Sequence, residues 1–190
     1  MGGRDKGLVA HQGQPLAASV IQRMGPQVQQ AIIVANRNAE DYAQLWAQAA
    51  SADPRLPAQA LVCPDDPDLP AWSGPMAGML TALRHSTTDW VQFVPCDAPA
   101  LPADLVARLM AAGPADLVVP LTTTDAEGQR YHWVTCLVHR RVAPTLVAQF
   151  AAGERKVSRW AQSLHWCHMA FDASDAFANI NVLERDDVPR

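Results

Sequence analysis

The sequence predicts an α/β fold with a mostly parallel sheet, on three observations. Short all-apolar runs recur along the chain. Amphipathic stretches at helical spacing alternate with them, and Pro, Gly, Asn and Asp mark the joins. Leu16, Val20, Ile21 and Met24 fall on one face of a first helix, which Gly25-Pro26 ends. Residues 31–35 are all apolar, as in a strand covered on both faces. Tyr42, Leu45, Trp46 and Ala49 mark a second helix, and residues 60–63 a second strand. Pro75 can open a third helix, because its missing N–H is one that a first turn leaves unpaired. Met76, Met79, Leu80 and Leu83 then follow at helical spacing. Residues 90–94 read as a third strand. Pro102 opens a fourth helix with Leu105, Val106, Leu109 and Met110 inward and Gly113 beyond its end. From there the rhythm changes. Residues 117–121 and 131–138 read as strands around a polar connection over 122–130. Helices over 142–150 and 154–164 and a last strand over 166–171 follow. The hairpin-like segment adds one antiparallel strand to the sheet.

A length of 190 residues suits one domain, 1–190, able to bury a substantial core. Fifteen Lys and Arg against 19 Asp and Glu give a formal charge of −4, without the basic footprint of a nucleic-acid binder. Cys63, Cys96, Cys136 and Cys167 are widely spread, which reads as reduced thiols rather than a disulfide framework. No apolar run approaches a membrane span, and the glycine-rich, charged start is unlike a secretory signal. A cytoplasmic protein is expected.

Ligands of an open α/β sheet bind beyond the carboxyl ends of its strands. Three consecutive strands deliver Asn36-Arg37-Asn38, Pro64-Asp65-Asp66 and Pro95-Cys96-Asp97 to that edge. The start of the chain, Met1-Gly2-Gly3-Arg4-Asp5-Lys6-Gly7, belongs there too if a strand feeds it. Glycine lets backbone N–H groups approach phosphate oxygens, and lysine adds a point charge. A hard Mg²⁺ takes carboxylate and phosphate oxygens together, and an asparagine amide can bond ribose or base. Asp65 and Asp66 serve equally well as loop-solvating residues. In Gly74-Pro75-Met76-Ala77-Gly78 a glycine precedes a helix-opening proline, leaving a bare helix N-terminus that favours an anion or a close ligand. His165-Trp166-Cys167-His168 is a poor zinc site, since strand alternation turns Cys167 and His168 to opposite faces. Cys96 sits among apolar and acidic neighbours that would not activate a thiol. The six tryptophans mostly fall within apolar periodicity and read as core or interface rather than stacking platforms. Arg155, Lys156 and Arg159 form a basic patch, either a solvated face or an attractor of an anionic second substrate.

Met1-Gly2-Gly3-Arg4-Asp5-Lys6-Gly7-Leu8 with Gly13-Gln14-Pro15-Leu16 resembles the second half of the signature loop of molybdenum cofactor guanylyltransferases. Ala35-Asn36-Arg37, Gly74 to Gly78, Pro95-Cys96-Asp97-Ala98-Pro99 and Asn179-Ile180-Asn181 resemble that family's later motifs, in its order, as does Ala152 to Val157. The resemblance implies a Rossmann-like, three-layer nucleotidyltransferase fold and transfer of GMP from GTP to molybdopterin-bound molybdenum cofactor, with release of pyrophosphate. It implies Lys6 and Asp97 as catalytic residues, Lys6 on GTP phosphates and Asp97 on Mg²⁺. Asn36 and one of Asp65 or Asp66 would hold the nucleoside, the spacing from the preceding strand favouring Asp65. Gly3 and Gly74 would allow close approach, and Asn179 and Asn181 would lie towards molybdopterin. Cofactor-receiving molybdoenzymes or their chaperones are the implied partners. A related cytidylyltransferase or sugar-phosphate nucleotidyltransferase stays open, as does an inactive paralogue that binds molybdopterin or a partner. The family's pattern has a strand, a Leu-Ala-Gly-Gly-type turn and an arginine before the Met-Gly-Gly with which this sequence opens. The first strand is therefore expected to be missing, Met1 to be an internal methionine and the working protein to be longer.

Overall fold

The computed structural model describes residues 5–70, 74–124, 128–172 and 174–180. A 3₁₀ turn over Lys6–Leu8 leads into a two-residue ribbon, β1 (Ala10–His11) against β2 (Gln14–Pro15). The ribbon turns at Gln12 and Gly13, both at positive φ, and Gly13 at +85° is where glycine has no Cβ penalty. Then follow α1 (Leu16–Met24), β3 (Ala31–Val34), α2 (Ala39–Ala52), β4 (Ala60–Cys63), α3 (Pro75–His85) and β5 (Trp90–Gln92). The second half contains α4 (Leu105–Met110), β6 (Leu117–Thr124), β7 (Gly128–Tyr131), β8 (Leu137–His139), α5 (Ala143–Ala151), α6 (Val157–Gln162) and β9 (Trp166–Phe171).

β3 and β4 pair in parallel, from Ala31 opposite Ala60 to Val34 opposite Cys63. β6 and β9 pair in parallel over six residues, from Leu117–Trp166 to Thr122–Phe171. β8 lies antiparallel between β5 and β6, so β5, β6 and β9 run in one direction. Side chains of β6 alternate between two cores, the period-2 rule of a strand. Leu117 and Val119 pack with Met76 and Leu80 of α3, Leu146 of α5 and Trp160 of α6. Val118 packs on the opposite face with Val20 of α1 and Leu105 and Leu109 of α4. Helices thus cover both faces of the sheet, the three-layer α/β arrangement that the family resemblance implies. A smaller core of Ile21, Trp46 and Leu56 joins α1 to α2.

Between β3 and β5 lies a cleft of ≈ 700 Å³, lined by Ile32, Val34, Val91, Phe93, Gly78 and Val106. Among the described residues β3 pairs only with β4, and β5 only with β8. Gln92, on the cleft wall, keeps its Oε1 buried without a hydrogen-bond partner among those residues.

Several boundaries differ from the sequence expectation, each for a local reason. Pro102 opens a turn, with the Leu105 N–H bonded to its carbonyl, and α4 begins only at Leu105. Met110 is not inward but 48% exposed. The polar stretch 122–130 is largely sheet, since Thr122, Thr123 and Thr124 pair with Arg130, Gln129 and Gly128. Two strands, β7 and β8, run antiparallel rather than one, because the predicted 131–138 strand is broken by a turn that bonds the Thr135 N–H to the His132 carbonyl. β5 ends at Gln92, although the Phe93 N–H still reaches the Cys136 carbonyl. The last helix starts at Val157 rather than 154, because the Glu154 carboxylate accepts the Arg155 and Lys156 N–H groups ahead of it. Within those described residues no helix is long and apolar enough to cross a membrane.

Candidate active site

The loops after β3, β4 and β5 hold the candidate residues, as the strand-end argument requires. Asn36 and Asp65 form a reciprocal pair across the ends of β3 and β4. The Asn36 amide donates to Asp65 Oδ2 at 2.8 Å, and the Asp65 N–H donates to Asn36 Oδ1 at 2.8 Å. Asp65 Oδ1 also lies 3.8 Å from where a Cβ on Gly78 would sit, which places it beside the first turns of α3. Asp66 faces elsewhere. Its N–H donates to the buried Thr81 hydroxyl, and its carboxylate accepts Arg84 Nη1 at 2.7 Å. Arg84 also forks onto Asp68, so Asp66 belongs to an ion-pair cluster on the outside of α3.

Asp97 is 6% exposed and carries an ion pair with the Lys6 ammonium. A carboxylate this buried needs a partner, since an unpaired buried charge is costly. Lys6 thus links the opening loop to the end of β5. The Ile180 N–H donates to the Asp97 carbonyl at 2.8 Å, which brings the segment carrying Asn179 to the same place. Asn179 is exposed. Gly3 and Asn181 lie outside the described residues. Gly74 stands at φ +75°, and a Cβ there would meet nothing within 4 Å among the described residues. Glycine is therefore needed for the backbone turn that opens α3, and space lies beside it.

Cys96 is exposed as a residue, yet the surroundings of its thiol, with Asp97 and Asp5 close by, desolvate it and push its pKa up to about 11. Such a thiol stays protonated at neutral pH and is a weak nucleophile. The basic patch divides. Arg155 lies 3.8 Å over the Phe150 ring and donates to the Phe150 and Glu154 carbonyls, whereas Arg159 reaches Glu154 at 3.5 Å. In β9, Trp166 and His168 share one face and Cys167 takes the other. Trp46 and Trp160 are buried, whereas Trp90, Trp133 and Trp166 are half-buried.

Two residues at the site carry no role in the sequence motifs. The Asp5 carboxylate accepts Tyr42 Oη at 2.6 Å, Asn38 Nδ2 at 3.0 Å and the Gly7 N–H at 3.2 Å. Burial and this hydrogen bond push the Tyr42 phenol far above its ordinary pKa. Tyr42 satisfies helical apolar periodicity as well as any core residue, so only the fold reveals its hydroxyl contact with Asp5.

A lysine, a buried carboxylate and an amide–carboxylate pair thus meet at the strand ends of a three-layer α/β fold, that of the nucleotidyltransferases. The family model of the MobA-like NTP transferase domain matches residues 1–167, and the chain belongs to that family. The molybdenum cofactor guanylyltransferase of Cupriavidus necator is 38% identical over 187 residues, covering 97% of this chain and 86% of that protein. The protein of the same name from Pasteurella multocida is 40% identical over 184 residues, covering 96% and 88%. In structure the chain is similar to molybdopterin-guanine dinucleotide biosynthesis protein A from Archaeoglobus fulgidus, with a TM-score of 0.66, 22% identity and coverage of 94% and 85%. It is equally similar to 2-C-methyl-D-erythritol 4-phosphate cytidylyltransferase from Thermus thermophilus, with a TM-score of 0.66, 13% identity and coverage of 93% and 87%.

Proposed function

We propose that this protein transfers GMP from GTP to the molybdopterin of molybdenum cofactor and releases pyrophosphate. The observation that carries this reading is the meeting of Lys6 and Asp97 at the strand ends, in a chain whose relatives are named guanylyltransferases. A terminal phosphate oxygen of molybdopterin attacks the α-phosphorus of GTP. The new P–O bond forms as the bond to the β-phosphate oxygen breaks, and pyrophosphate leaves with that electron pair. Both reactants are polyanions, so positioning and neutralisation of phosphate charge dominate catalysis.

Lys6 supplies a positive charge to the GTP phosphates, released from Asp97 as they bind. Asp97 fits a hard divalent cation, because it is a buried carboxylate at the strand ends. Among the described residues no group of three or more His, Cys, Asp and Glu forms a protein cage. Asp97 would hold Mg²⁺ as a single carboxylate ligand, a donor type that suits a hard cation shared with phosphate groups. Mg²⁺ held there would neutralise phosphate oxygens and steady the leaving pyrophosphate. Asn36 and Asp65, already paired, hold the nucleoside. The contacts of Asp66 with Arg84 and Thr81 support a structural role for it. Asn179, tethered through Ile180 to Asp97, lies towards the molybdopterin phosphate, and Gly74 leaves room for substrate at the start of α3.

Calorimetric titration with GTP and Mg²⁺, with CTP as control, tests this function. Selective GTP binding is expected. Lys6→Ala should weaken it by at least about tenfold, given roughly 1.5–3 kcal/mol for a charge-assisted hydrogen bond. Equal binding of CTP, or no effect of Lys6→Ala, would overturn the assignment.

A further inference from the structure

We infer that Asp5 is a positioning residue, the joint that fixes the loop bearing Lys6 against the loop bearing Asn36. The roles of Lys6 and Asn36 rest on the proposed function; the joint itself rests on geometry. Asp5 directly precedes Lys6, and its side chain is only 15% exposed. One oxygen accepts the Gly7 N–H and the Tyr42 hydroxyl, and the other accepts the Asn38 amide. Arg37 Nε approaches that second oxygen at 3.6 Å. The partners come from both loops. Gly7 belongs to the Lys6–Leu8 turn, whereas Arg37 and Asn38 directly follow Asn36.

Two further features show that this arrangement is tightly built. Asn38 sits in the left-handed region at φ 55°, where it starts α2, and its carbonyl accepts the N–H of Tyr42. Tyr42 is 6% exposed, and a Cβ on Gly7 would come within 2.3 Å of its hydroxyl oxygen. The opening turn is therefore pressed against α2 at a position that only glycine fits. Lys6 reaches from that turn to Asp97 at the end of β5. Through Asp5 the loops after β3 and β5 are held to one another by way of the opening turn. A lysine otherwise carries much rotamer freedom, and anchoring the adjacent backbone restricts where its ammonium can go.

A bare cap of the Lys6–Leu8 turn would also use Asp5, so the test must separate the two roles. Backbone amide exchange is compared in the wild type, Asp5→Ala and Tyr42→Phe. Tyr42→Phe keeps the ring and removes only the hydroxyl donor. A joint predicts faster exchange, by about tenfold or more, at residues 6–8 and at residues 36–38 together. Faster exchange at 6–8 alone, or at neither, in folded variants overturns it. Affinity for GTP with Mg²⁺ is then measured in a double-mutant cycle with Lys6→Ala. If Asp5 acts through Lys6, Asp5→Ala weakens binding several-fold in the wild type and less than about twofold in the Lys6→Ala background. Additive effects overturn the inference. A wild type that binds no GTP would sink the proposed function instead, and the exchange result would still decide the joint.

Discussion

Asp65 and Asp66 are neighbours in sequence with identical side chains, yet their surroundings assign them different work. Asp65 is joined to Asn36 at the strand ends, and Asp66 to Arg84 and Thr81 on α3. Asp65→Ala is expected to weaken GTP binding with little loss of stability, while Asp66→Ala lowers the melting temperature and leaves affinity within about twofold. Calorimetric titration beside thermal unfolding of both variants checks this, on the principle that sites without shared partners act independently. His132 is a second residue whose chemistry comes from its neighbours. Its Nε2 lies 2.8 Å from the hydroxyl of buried Thr122, and its ring stacks on Phe177 at 4.6 Å. Burial, helped by the Arg130 charge, lowers its pKa from 6.5 to about 4. The unfolded chain therefore takes up a proton at this histidine that the folded chain refuses. That contribution opposes folding progressively as pH falls from about 6.5 to about 4 and is absent above that window. Thermal unfolding across the window should show a shallower decline in His132→Gln than in the wild type.

The elements that the sequence predicted best are those whose core residues recur with a clean period. α1 and α3 keep the expected apolar faces, with Leu16, Met76 and Leu80 almost wholly buried, and β4 and β9 fall at the expected bounds. Errors gather where a turn competes with the pattern. Pro102 is as good a helix opener as Pro75, but its carbonyl is taken by the Leu105 N–H in a separate turn. The stretch 131–138 has unbroken strand propensity, yet the turn at 132–135 divides it and sets His132 against Thr122. Local propensity cannot choose between these outcomes, because long-range packing decides them. α6 shows how much a short element can carry. It has six residues, but Trp160 is wholly buried in the larger core, and its Nε1–H donates to Thr145 on α5. Trp160→Ala should cost about 3–5 kcal/mol, read as a lower midpoint in urea unfolding.

Across the whole molecule, the strands fall into unequal groups. β6 is paired on both edges, with β9 on one and β7 and β8 on the other, and it lies between the two principal cores. β3 is paired only with β4 among the described residues, and its other side lines the cleft. Local opening needs less disruption there. Amide exchange of the native protein should leave β6 protected longest and release β3 and β4 earlier, through a smaller opening. Equal protection of β3 and β6 would show that the two groups open as one unit.

The sequence by itself determined the alternation of strands and helices, the α/β class and the strand-end loops that carry Asn36, Asp65 and Asp97. Those features follow from apolar periodicity and from the rule that an open α/β sheet binds at its carboxyl edge. The motifs also pointed to the family to which the chain belongs. Only the tertiary structure decided that Asp65 and not Asp66 joins Asn36, that Asp5 is held by Tyr42 and Asn38, and that a cleft separates β3 from β5. Each of these depends on contacts between residues far apart in the chain or on the direction a side chain takes from a loop. Neither leaves a period in the sequence, because a hydrogen bond between Asp5 and Tyr42 requires no repeating pattern between them, only a fold that brings them together.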